Sequence, residues 1–314
     1  MALTPNPSEF RVTTLSVDSR FAEQIYGTTA DYMIRLPATM RNVGRVALTS
    51  VEIPHVTYVF SGATAVANIN FSVADVGGIL LKKLTIAAGN YTGPELATAI
   101  TAALATVPEL AGSGSCVYNG ISNRFSFVNT WGTAFKVFLQ SSQPDVAARV
   151  RDWGLGYNLG FRTPTVTVSP GGLAAAATAP ASPLLVGTPY ILLQLQCPDM
   201  LENTLHRLAD GSFVQAFAKL VSRPGPGGCG CGFYQIQYDD VRNGVRKENV
   251  FVRPSAITQL RIRLLDAYGH LVDMGDTDWS ATMEFTEVVG AGPYLALNRA
   301  MPSVVLGGQL PMRP

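Results

Sequence analysis

The residue types that do chemistry are sparse in this chain, and they do not gather. There are three histidines, His55, His206 and His270. None stands in an H-x-H or H-x-x-x-H spacing, which would bring two imidazoles to one metal or one proton. A metal-dependent enzyme of the cupin type needs such a cluster with a carboxylate beside it. No G-x-S-x-G elbow marks a nucleophilic serine. Cys116 and Cys197 stand alone, while Cys229 and Cys231 form a C-x-C pair in the stretch GGCGCGF. Tetrahedral zinc takes four ligands, usually as two pairs, and no second pair follows. The pair reads as small residues in a turn. Asp273, Asp276 and Asp278 could offer oxygens to calcium but lack EF-hand spacing, and read as a polar turn between strands. Gly154, Gly156 and Gly160 give G-x-G-x-x-x-G after an expected helix, where a dinucleotide loop would follow a strand. The expectation is no enzyme, no catalytic residue, no cofactor and no metal.

Charge excludes a second group of functions. The formal net charge is +1, so no whole-molecule field draws in nucleic acid or an anionic membrane. Arg242, Arg246 and Lys247 form a local basic run that reads as a solvated loop. Hydrophobic residues make up 47% and charged residues 14% of the chain, against about 25% charged in ordinary domains. Burial of that charge-poor surface against partners is one reading of this composition. The other is a surface rich in Ala, Gly, Ser and Thr. No stretch reaches the roughly 18 apolar residues of a membrane helix, and the most apolar run, 173–186, is broken by Pro180 and Pro183. The opening MALTPNPSEF has no signal-peptide character, and Asn90-Tyr91-Thr92, a glycosylation sequon, is read accordingly as unused.

The elements that would position any site are mostly strands. In 32–36, Tyr32, Ile34 and Leu36 alternate with Met33 and Arg35, and 43–53 alternates in part, with Val46 and Leu48 against Arg45 and Ala47. Such runs are strands with one buried face. Thr92-Gly-Pro-Glu95 is a capping box opening a helix along which Leu96, Ile100 and Leu104 recur, with Pro108 beyond its end. A hairpin follows around 121–123, then a strand at 135–139. A short helix is expected over 145–153, stopped by Gly154, and 169–183 reads as a loop or hinge. Strands return at 190–196, 214–221, 233–238, 249–252, 259–265 and 281–288. With the two opening runs these make about eight, the number of a jelly roll. The predicted organisation is an arm at 1–14, a sandwich split between 15–60 and 184–290, an α+β insertion at 61–183, and an arm at 291–314. Two consecutive β-domains dividing near Ser182 are the alternative. The split is favoured because the first part has too few long strands to close a sandwich alone.

Several pieces, in order, carry a resemblance: Asp18-Ser19-Arg20, Ala30-Asp31-Tyr32, Arg41-Asn42-Val43, Val51-Glu52-Ile53-Pro54, Tyr58-Val59-Phe60, Gly89-Asn90-Tyr91-Thr92, Gly156-Tyr157-Asn158-Leu159-Gly160-Phe161-Arg162, and Leu265-Asp266 through Gly269. Together they resemble the jelly-roll minor capsid proteins of nucleocytoplasmic large DNA viruses. The resemblance implies an antiparallel jelly-roll β-sandwich that bridges or cements major capsid protein units of an icosahedral virion assembled in the host cytoplasm. Its implied partners are the major capsid protein and other minor capsid proteins, with self-association a further expectation and a place between outer shell and inner membrane. Interface candidates are Pro5 and Phe10 in the first arm, Val66, Phe71 and Leu185 in the insertion loops, and Tyr294, Leu295, Leu297, Val304 and Leu306 in the last. The alternative is a lectin-like β-sandwich binding module at the virion vertex or surface, for which Trp131 and Trp153 are the best aromatic platforms, although both are expected to pack on the insertion's core.

Overall fold

The computed structural model describes residues 10–54, 58–64, 66–77, 79–187, 190–197, 204–208, 212–221, 223–224, 234–239, 247–275 and 277–289. In chain order the sandwich opens with β1 (Phe10–Asp18), β2 (Gln24–Ile25) and the long β3 (Asp31–Ile53). Then come β4 (Asn70–Asp75), β5 (Leu80–Thr85), α1 (Gly93–Leu104), β6 (Gly114–Asn119), β7 (Arg124–Asn129), β8 (Phe135–Phe138), α2 (Pro144–Ala147), α3 (Leu155–Leu159), β9 (Thr165–Val168) and β10 (Ala177–Thr178). The remainder is β11 (Tyr190–Gln196), β12 (Thr204–Arg207), β13 (Phe213–Ala216), β14 (Ala218–Val221), β15 (Arg223–Pro224), β16 (Tyr234–Asp239), β17 (Lys247–Leu265) and β18 (Ser280–Val288).

Two strands make the sandwich by belonging to both of its sheets. β3 and β17 pair antiparallel along their lengths, and their register slips three times between Val250 and Gln259, opposite residues 35–45. Asn42 sits there at φ 55, a left-handed conformation that asparagine tolerates. Near it across the ladder is Pro254, which lacks a backbone donor. Both strands therefore fold over one corner. In one sheet β1 pairs β18, β18 pairs the second half of β3, and that half pairs β16. In the other, the first half of β3 pairs the end of β17, which pairs β11, which pairs β14. Counted as eight consecutive segments, with β16 and the start of β17 together the sixth beside the second half of β3, the sheets run first–eighth–third–sixth and second–seventh–fourth–fifth. That is the double Greek key of a jelly roll, and the chain is a mainly β, antiparallel sandwich.

One core fills the space between the sheets. Val17, Tyr32, Val46, Leu48, Val51, Leu193, Leu195, Leu260, Ile262, Met283 and Phe285, drawn from both sheets, are buried together there. The partial alternation of 43–53 has a cause. The β18 pairing slips between Thr282 and Met283 and again between Thr286 and Glu287. Each bulge shifts the inward parity by one residue, so Val43, then Val46 and Leu48, then Val51 and Ile53 all face inward.

A second core lies wholly in residues 59–185. Here β5-β4-β8-β9 and β10-β7-β6 form two small antiparallel sheets, with α1 against them. Leu96, Ile100 and Leu104 of α1 bury against this core with Phe125, Phe127, Phe135 and Phe161. The capping box forms as the sequence predicts, with both Thr92 and Glu95 reaching back to the opposite backbone.

The structure departs from four expectations. Residues 10–14 belong to β1, whose partner β18 lies at the far end of the sequence and leaves no local signal. The runs at 32–36 and 43–53 are one strand, as are 249–252 and 259–265, because the corner bends the backbone without ending the ladder. The run 214–221 is two strands, since Phe217 turns inward between β13 and β14. The helix expected over 145–153 ends at Ala147. Gly154, at φ 139, caps the start of α3 instead of stopping a helix, so the GYNLG run is itself helical.

Candidate functional site

The two cores meet at a cleft of about 560 Å³. The insertion contributes Tyr58, Val66, Arg149, Asp152 and Tyr157, and the turn between β17 and β18 contributes Asp266, Tyr268, Leu271 and Asp273. Apolar walls with a few polar groups, at this size, suit a small ligand. One polar cluster crosses it. The Tyr268 hydroxyl donates a hydrogen bond to Asp152 Oδ2, Arg149 Nη1 lies 3.6 Å from the same oxygen, and the Arg149 guanidinium sits 3.5 Å from the Tyr268 ring centroid. Asp152 holds φ 55. Burial, more than the hydrogen bond or Arg149 can offset, raises its carboxyl above the ordinary range. Burial also raises the Tyr268 hydroxyl, with the Asp152 charge adding to it.

Backbone register fixes what leaves each end of the sandwich. Phe10 pairs with Val288, so the chain enters β1 and leaves β18 at one end. Glu52 pairs with Ser280 at the other end, where the chain leaves for the insertion after Ile53. The nine residues of β18 separate these ends by roughly 30 Å at strand rise.

The predicted interface residues have different fates. Phe10 is half-buried at the start of β1, and Val66 is half-buried on the cleft wall. Leu185 packs partly buried on the second core. Phe71 faces inward from β4 at 3% exposure and offers no surface, because strand alternation puts it with Val73 on the core face. Pro5, Tyr294, Leu295, Leu297, Val304 and Leu306 lie outside the described residues, as do His55, Cys229, Cys231, Arg242, Arg246 and Asp276. As expected, the tryptophans pack on the insertion: Trp153 is buried in the second core and Trp131 lies partly buried against it.

Other chemical candidates are separated in space. Asp273 accepts from the Gly275 amide, whereas Asp278 accepts from the Ser19 hydroxyl. Among the described residues, no three His, Cys, Asp or Glu gather to hold a metal. His270 lies 3.7 Å from Asp266. His206 is on β12, its imidazole pKa lowered by burial and by Lys219 and Lys247. Burial pushes the Cys116 thiol well up, away from the thiolate that reacts. Among the described residues, no helix is long and apolar enough to cross a membrane.

A surface feature escaped the sequence reading. In the β12–β13 hairpin Leu205 pairs Gln215 and Arg207 pairs Phe213, so Leu205 and Phe213 are diagonal neighbours on one face. They are 61% and 63% exposed. The advance signal was slight: two large apolar residues in a run that pairs too briefly to bury them.

No family model and no curated protein matches the chain. Among solved structures it is similar to the SeMet-labelled mavirus penton protein, with 11% identity over 88% of this chain and 98% of that one, and a TM-score of 0.46. It is also similar to a chain of the Sputnik virophage, solved by cryo-EM, with 11% identity over 87% of this chain and 97% of that one, and a TM-score of 0.39. Both scores fall below 0.5, and the jelly-roll assignment rests on the strand order above.

Proposed function

We propose that this chain is a structural, non-enzymatic minor capsid protein that bridges or cements major capsid protein units in a large icosahedral double-stranded DNA virus. The observation that carries the reading is the jelly-roll strand order, in which both termini of the sandwich lie at one end and a separately cored insertion leaves from the other. Such a body can meet different neighbours at its two ends. The charge-poor composition and the exposed Leu205–Phe213 pair support contacts made by burial. Its partners in this reading are major and other minor capsid proteins, with further copies of itself. Its location is the capsid shell, and its assembly takes place in the host cytoplasm.

Cross-linking mass spectrometry on purified particles tests this. Cross-links from residues 1–9 and 290–314 to the major capsid protein are expected, and absence of the chain from mature particles would overturn the reading. Deleting residues after Gly290 is expected to leave the melting temperature in place and to weaken incorporation. A second reading, a glycan-binding module, finds support in the tyrosines of the cleft, Tyr58, Tyr157 and Tyr268. Glycan-array binding lost on Tyr58→Ala would favour it.

A further inference from the structure

We propose that Arg149, Asp152 and Tyr268 form a latch that holds the insertion against the jelly roll. Among the described residues the two cores share no member, and no strand or helix of one packs extensively on an element of the other. Between bodies so joined, a few polar contacts at the cleft decide the angle. Arg149 and Asp152 come from one body and Tyr268 from the other. The tyrosine is held twice, through its hydroxyl by Asp152 and through its ring by Arg149. The left-handed backbone at Asp152 costs free energy that a non-glycine residue bears only where its surroundings fix it.

Hydrogen exchange on the full-length protein reads the latch at residues 58–64 and 266–275. Tyr268→Phe, which removes one oxygen, is expected to lose protection there by about tenfold, the order of a hydrogen bond to a charged group, with protection inside the two cores unchanged. Unchanged cleft protection, or a loss spread evenly over both cores, overturns the latch.

Discussion

The sandwich and the insertion are both antiparallel β structures, yet they are assembled from contacts of opposite kinds. The sandwich joins β1 to β18 across nearly the whole chain, while the insertion closes its core within residues 59–185 through hairpins such as β6–β7. Non-local pairing costs more loop entropy before any contact forms. A locally closed body can sit inside a jelly-roll connection without disturbing the strand order on either side. The insertion is thus tied to the sandwich by position more than by shared packing.

That contrast fails if the cores melt as one. Phe285→Ala in the sandwich and Phe127→Ala in the insertion should each cost roughly 3–5 kcal/mol, because both rings are fully buried. Calorimetry is expected to show two transitions, each mutation lowering only its own; a single shared transition would show one cooperative unit. Next in size is Gly160→Ala. Gly160 has φ 92, and a Cβ there would lie 2.1 Å from the Ala181 carbonyl oxygen. Strain and overlap together should cost about 2–4 kcal/mol and lower the insertion's transition alone.

A sandwich counterpart is Arg261→Met. Asp31 is almost fully buried and accepts two 2.7 Å hydrogen bonds from Arg261, with Arg263 at 3.4 Å. Losing one charged partner while the other remains should cost about 2 kcal/mol in the sandwich transition. The smallest effect is Thr92→Ala, which removes the α1 cap and should cost about 1 kcal/mol, again in the insertion alone. Chemical denaturation followed by exchange mass spectrometry assigns each loss to its core.

Legibility in the sequence followed the same division. The α1 cap, its buried stripe and the β6–β7 hairpin were readable because their determinants lie within a few residues. The strand at 190–196 was readable from its apolar run. The corner in β3 was not: a bend at Asn42, with Pro254 near it on the partner strand, looks in one dimension like the end of one strand and the start of another. Gly154 was misread because a left-handed glycine is as much at home before α3 as after a helix. Of the candidate site, Phe71 was misplaced and Arg149, Asp152 and Tyr268 were not singled out, since their meeting depends on residues 116 positions apart.

Neighbouring residues alone carried the mainly β class and the scatter of histidines and cysteines, because alternation, caps and spacing are local properties. Long-range assembly settled that β3 and β17 each serve two sheets, that bulges restore an inward face where alternation lapses, and that a half-buried aspartate meets a tyrosine across the cleft. Those outcomes depend on which distant segments come to lie together, and the free energy that selects them is released only on burial.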